Sequence, residues 1–211
     1  MAEFTFFTHP MSRGQIARWA LHETNADYEQ VLVGWEGKPA GLLAVNPLGK
    51  VPTIIHHTPS GDRVVSEAAA VCAYLAEALP AAGLAPTPEE RADYYRWLFF
   101  AAGPIEQGIT ARSLGFEPED ERTRMTVGFG DIDSALATLE AHLAGNEWIC
   151  GGRFTMADVY VGSQVDWGLQ FKTFPESEAF TAYADRCRAR EAYRAGKAID
   201  NALIAEMQGN S

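Results

Sequence analysis

The chain has 211 residues, 47% of them hydrophobic and 21% charged, enough apolar material for one large domain or two small ones sharing an interface. Its net charge of -11 excludes a general affinity for nucleic acid, because phosphate binding needs a basic surface. The three cysteines, Cys72, Cys150 and Cys187, are odd in number and show no metal-ligand or redox spacing, which argues against a disulfide framework and for a reducing compartment. The N-terminal segment lacks a basic start followed by an apolar run, and no apolar stretch is long enough to span a bilayer. The expectation is a cytoplasmic protein.

In chain order, Glu3–Phe7 is aromatic and extended, and a helical pattern starts near Arg13, with Ile16, Ala17, Ala20 and Leu21 at helical spacing. Tyr28–Val33 alternates like a strand. Pro52–His56 is a short β-branched run, and Arg63–Val65 another after a Pro59–Asp62 turn. Ala68–Leu79 is Ala-rich and helical. Strands and helices alternating in this way predict a small sheet with helices on its faces. Residues 80–88 read as a linker by their Pro, Ala and Gly content. Beyond them the pattern is helical. Thr87-Pro88-Glu89-Glu90 starts a helix expected to reach about Arg112. A second is expected over about Glu119–Leu143. A third is announced by a capping box at Thr155–Asp158 with Phe154 as its staple, and two more over about Ser177–Ala189 and Arg190–Met207.

Three local stretches could carry chemistry. In Asn46-Pro-Leu-Gly-Lys-Val-Pro-Thr53 a strand is entered through a proline. A cis Val51-Pro52 bond would free the Val51 N–H and C=O for a peptide-like ligand; a plain turn before a strand is the commoner outcome. At Ser66-Glu67 a strand gives way to a helix, whose N-terminus suits a carboxylate while Glu67 suits an ammonium group. Simple capping by Ser66 explains the same residues. At the first strand–helix junction stand Thr8, His9 and Ser12. Ser12 followed by Gln15 reads as a capping box, which leaves the hydroxyl proton free for an anion beside the helix N-terminus.

Taken together and in this order, these stretches, with the linker and "FTMADVYVG" in the helical half, resemble a cytosolic-type bacterial glutathione S-transferase over nearly the whole chain. The resemblance implies an α/β plus all-α fold: a thioredoxin-like N-terminal domain over residues 1–80, a linker at 81–87 and an all-helical C-terminal domain over 88–211. It implies glutathione as co-substrate, no metal, a small hydrophobic electrophile as second substrate, and a homodimer without nucleic-acid or membrane partners. Val51, before Pro52, would pair with the cysteinyl backbone. Glu67 and the Ala68 N–H would hold the γ-glutamyl end, and Lys38 and Lys50 the glycine carboxylate. Arg96, Phe100, Gly103 and Trp167 would line the electrophile pocket.

The sequence departs from the family in two places. Ala68 stands where many members have Ser, removing one hydroxyl from the γ-glutamyl site. Members use Tyr, Ser or Cys near the end of the first strand, and the opening stretch has no Tyr or Cys. The spacing of theta-class members from an Arg like Arg13 lands on His9, and that of zeta-like members on Thr8. Ser12 ranks first as the catalytic group, His9 second and Thr8 third. The leading activity is thiol activation for attack on an electrophile. The alternatives are glutathione-dependent peroxide or disulfide reduction, isomerisation, or a non-catalytic binding module.

Overall fold

The computed structural model describes residues 2–209; Met1, Asn210 and Ser211, at the ends of the expected domain ranges, lie outside the described residues. The chain folds as two compact units. One runs to Ala85 and takes in the chain again from Arg188, and the other is Pro86–Cys187.

The first unit opens with β1 (Phe4–Thr8), α1 (Gly14–Glu23), β2 (Tyr28–Leu32), α2 (Ala40–Val45), β3 (Thr53–Thr58), β4 (Gly61–Ser66) and α3 (Ala68–Ala78). The sheet order is β2-β1-β3-β4, with β1 and β2 parallel and the other pairs antiparallel. This is the thioredoxin-like arrangement expected. Alternation along β1 sorts its aromatics onto two faces. Phe4 and Phe6 are fully buried beneath α1 and α3, whose Ile16, Leu21, Val71 and Leu75 are fully or almost fully buried. Phe7 points the other way and packs with Val33 and with Leu42 of α2.

The second unit is all-helical: α4 (Arg91–Phe100), a π-helical turn at Ala101–Ile105, α5 (Glu106–Ser113), α6 (Glu121–Thr126), α7 (Ile132–Gly145), α8 (Met156–Gln170) and α9 (Glu178–Arg188). The helix expected to run to Arg112 is therefore interrupted. Pro104 lies in the wide turn, where its missing N–H and its ring disturb the regular α ladder. The helix expected over Glu119–Leu143 is two helices. Gly130 takes φ +63, which breaks the spiral, and Asp131 starts the next helix by accepting Ser134 N–H at 3.0 Å. The capping box at Thr155 and Asp158 forms.

The last helix, α10 (Glu191–Gly209), returns to the first unit and packs on α1. Polar side chains fix it there. Arg18 donates to Asp200 at 2.9 Å, and Arg190 pairs with both carboxylate oxygens of Glu23. Trp19 meets Tyr193 edge-on, with ring centroids 5.1 Å apart.

Candidate active site at one edge of the sheet

The strand register gathers the three candidate stretches. Phe7 of β1 pairs with Thr53 of β3, and Thr53 with Ser66 of β4. The residues just beyond that row are Thr8-His9 on one strand, Val51-Pro52 entering the next, and Glu67-Ala68 leaving the third. They meet at one edge because antiparallel β3 begins where β1 and β4 end. Parallel β2 ends beside them too, since Val33 N–H bonds to Thr8 O at 2.8 Å.

Val51-Pro52 is a cis peptide bond. The loop before it is held by Asn46, whose amide donates to Thr53 Oγ1 at 3.0 Å and to Lys50 O at 3.3 Å, while Thr53 Oγ1 donates to Lys50 O at 2.9 Å. Gly49 turns the loop at φ +61. Asn46 and Thr53 were not singled out from the sequence, though the Asn-Pro pair and the Gly two residues later signal such a turn.

Glu67, not Ser66, stands at the N-cap of α3. It takes φ +68 and ψ 118, a conformation uncommon for a residue with a side chain, and its side chain makes no cap hydrogen bond. Glu67 is exposed, and Ala68, the first residue of α3, is buried. Lys38 donates to Gly34 O at 2.9 Å and lies 5.9 Å from the Trp35 ring centre, while Lys50 is exposed.

The β1–α1 turn differs from its sequence expectation. The Ser12–Gln15 capping box does not form. Arg13 occupies the N-cap of α1 without a side-chain cap bond. Ser12 Oγ accepts instead from Gly14 N–H at 3.0 Å and donates its proton to His9 O at 2.7 Å. Gln15 is drawn away: its amide donates to Pro10 O, and its carbonyl accepts from Lys197 of α10 at 2.8 Å. Thr8 is fully buried, and its Oγ1 has no hydrogen-bond partner among the described residues. His9 is 4% exposed, with Nδ1 accepting Met11 N–H at 3.1 Å and the ring tilted against Trp35 at 3.9 Å between centroids. Burial first, and the Lys38 charge second, hold His9 below its ordinary value of 6.5. Trp35 was also missed in the sequence; an exposed Trp between Gly34 and Glu36 in a polar loop was its only signal.

Thr8 has a packing role that can be tested. A Cβ on Gly14 would lie 2.1 Å from Thr8 Oγ1. Gly14→Ala is expected to cost about 1–3 kcal/mol through overpacking. Adding Thr8→Ala should recover most of that loss in urea unfolding; no recovery would mean that Thr8 is not what the new methyl strikes.

The other candidates lie in the helical unit. On α4, Arg96 is exposed with its guanidinium 4.7 Å from the Trp97 ring centre, and Phe100 meets Trp97 edge-on at 5.3 Å. Gly103 lies in the π-helical turn, with open space where a Cβ would be, and Trp167 is half-buried on α8. Among the described residues no group of His, Cys, Asp and Glu is arranged to hold a metal ion, and no helix is long and apolar enough to cross a membrane.

A mixed sheet with a ligand-sized constellation at its edge, joined to a helical unit, defines a class that comparison with known proteins makes specific. Residues 11–78 match the family model for the glutathione S-transferase N-terminal domain, and residues 62–167 match that for the C-terminal domain. Glutathione S-transferase 1 of Schizosaccharomyces pombe is 30% identical over 79% of this chain and 75% of its own length. Glutathione S-transferase GstA of Escherichia coli O157:H7 is 27% identical, covering 88% and 90%. The theta class glutathione S-transferase of Xanthomonas axonopodis pv. citri, solved with glutathione bound, superposes with a TM-score of 0.74 at 28% identity, covering 93% of this chain and 97% of that one. A sphingomonad glutathione S-transferase complexed with glutathione gives 0.72 at 27% identity, covering 93% and 98%. The chain belongs to the glutathione S-transferase family and is an enzyme of that class.

Proposed function

We propose that the protein binds glutathione at the sheet edge, lowers its thiol pKa and directs the thiolate at a small hydrophobic electrophile. The observation that carries this reading is the meeting of Val51, the α3 N-terminus with Glu67, and the β1–α1 turn beyond one row of the sheet. The Val51 N–H and C=O are assigned to the cysteinyl backbone, and the residue after them, Pro52, to shaping that edge. The Ala68 N–H takes the γ-glutamyl carboxylate at a helix N-terminus and Glu67 the amine. Lys38 and Lys50 take the glycine carboxylate. The turn carrying Thr8, His9 and Ser12 faces the sulfur, and the electrophile is assigned to Arg96, Phe100, Gly103 and Trp167. The glutathione complexes of two relatives support the same ligand here. We assign the protein to the cytoplasm as a homodimer; three free cysteines fit a reducing compartment.

The energetic demand is modest. Moving a thiol from about 8.5 to about 7 takes roughly 2 kcal/mol of preferential thiolate stabilisation. One charge-assisted hydrogen bond, worth about 1.5–3 kcal/mol, and a helix N-terminus, worth about 0.3–1 kcal/mol, cover it.

Calorimetric titration with glutathione and conjugation of a chlorinated dinitroaromatic test the reading. Glu67→Gln is expected to weaken glutathione binding roughly tenfold, the effect of losing one hydrogen bond to a charged group. Wild-type protein that neither binds glutathione nor conjugates it would remove the assignment. Turnover of hydroperoxides or disulfides, without conjugation, would move it to glutathione-dependent reduction.

A further inference from the structure

Of the three polar side chains in the β1–α1 turn, two keep a proton that no neighbour among the described residues accepts: the Thr8 hydroxyl, which is fully buried, and the His9 ring. Ser12 already donates to His9 O at 2.7 Å. Thr8 is fully buried, with its hydroxyl against Gly14. His9 is different. Its Nδ1 accepts Met11 N–H at 3.1 Å, so the ring proton of the neutral form sits on Nε2. Nε2 has no hydrogen-bond partner among the described residues. Protonating the ring would turn an Nδ1–H against the Met11 N–H and lose that bond. Trp35 lies over the ring with planes 35° apart; it is 59% exposed and His9 is 4% exposed, so the indole shields the imidazole from water. The Lys38 ammonium is the charged group that acts on the ring, and it too disfavours the imidazolium.

We propose that His9, rather than a hydroxyl, is the catalytic residue at the glutathione sulfur: a neutral imidazole that donates Nε2–H to the thiolate, with Trp35 as the positioning residue that roofs it. The proposal rests on glutathione being the bound thiol. His9 keeps its proton throughout. The thiol S–H bond breaks and its proton passes to water. The sulfur lone pair then forms a bond to the electrophilic carbon of an aryl halide, and halide leaves with the bonding pair. The acid side of the pH–rate profile therefore reports the thiol alone. A histidine acting as general base would need Nε2 unprotonated, which the Met11 contact opposes.

The test uses the full chain as wild type, His9→Ala, His9→Gln, Ser12→Ala and Trp35→Ala. Glutathione binding is measured by calorimetry, and the bound thiol is titrated by its thiolate ultraviolet absorbance. His9→Ala is expected to retain binding while raising the bound thiol's pKa by about one to two units, lowering conjugation near pH ~6.5 roughly tenfold. His9→Gln, which keeps an N–H donor, should restore most of both. In an NMR titration, the His9 ring of the wild type should titrate below the ordinary 6.5, and Trp35→Ala should move its midpoint up towards that value. A thiol pKa unmoved in His9→Ala, or a shift of that size in Ser12→Ala alone, overturns the assignment. So does a wild-type His9 that titrates at the ordinary value. Wild type that binds no glutathione overturns both this donor and the function it rests on, whereas binding with an unmoved thiol overturns the donor alone.

Discussion

Asp158→Ala is expected to destabilise the helical unit by about 3–5 kcal/mol, because several buried donors lose their acceptor at once. Asp158 is fully buried on the first turn of α8. Its Oδ1 accepts Ile149 N–H at 2.7 Å and the Tyr183 hydroxyl at 2.9 Å, and its Oδ2 accepts Thr155 N–H at 2.8 Å. One carboxylate thus caps α8, anchors the segment before it and reaches α9. In differential scanning calorimetry the loss should lower Tm by roughly 10 °C. Tyr183→Phe, which removes one donor and leaves the cap, should cost about 1 kcal/mol. A drop in Asp158→Ala no larger than in Tyr183→Phe would show that the cap is a bystander. The buried Phe154 beside it meets Trp148 edge-on at 5.0 Å and completes the apolar side of this corner.

Asp200→Ala should cost a comparable amount in the other unit. The Arg18 and Asp200 side chains are 0% and 1% exposed, so the substitution strands a guanidinium in a dry site. Breaking such a pair from one side costs about 3–5 kcal/mol. The surroundings set the scale. The guanidinium lies 5.4 Å from the Phe6 ring centre, Arg18 Nη1 donates to the Tyr28 hydroxyl at 3.1 Å, and Arg18 Nη2 and Asp200 Oδ2 have no hydrogen-bond partner among the described residues. Burial holds the Asp200 carboxyl above its ordinary range even with Arg18 beside it, a sign of how little water reaches the pair. Replacing both, Arg18→Met with Asp200→Leu, is expected to recover most of the loss, since desolvation of two charges offsets their attraction. Urea unfolding of the two singles and the double forms the cycle. A double variant as unstable as Asp200→Ala would mean that this pair contributes net stability rather than orientation of α10.

The legible parts of the fold were those decided by neighbours in sequence. The short β-branched runs, the helical spacing of Ile16, Ala17, Ala20 and Leu21, and the Thr155–Asp158 box depend on residues within a few positions of one another, and all three correspond to elements of the structure. Local pattern misled where apolar spacing ran on through a break. Gly128, Gly130 and Asp131 sit inside an otherwise helical stretch, yet the positive φ of Gly130 and a fresh cap outweighed periodicity. The same holds at Pro104, where a wide turn let the chain continue as helix.

At the site, the backbone signals were readable and the side-chain protons were not. Pro52, Glu67 and the first turn of α1 announced their segments, because Pro, a strand end and a helix start act locally. The Ser12 proton was misjudged because its acceptor is a carbonyl in a turn whose shape depends on Gln15 being drawn to Pro10 and to Lys197. The alternation of strands and helices determined the α/β character of the first half, and the order of the three stretches carried the resemblance to the family. Tertiary structure alone decided that Arg18 and Asp200, 182 residues apart, share a buried pair. It alone put Trp35 against His9 and turned the Ser12 proton to a backbone carbonyl. Hydrogen-bond partners and burial are set by what folds against a residue, and sequence distance carries no record of that.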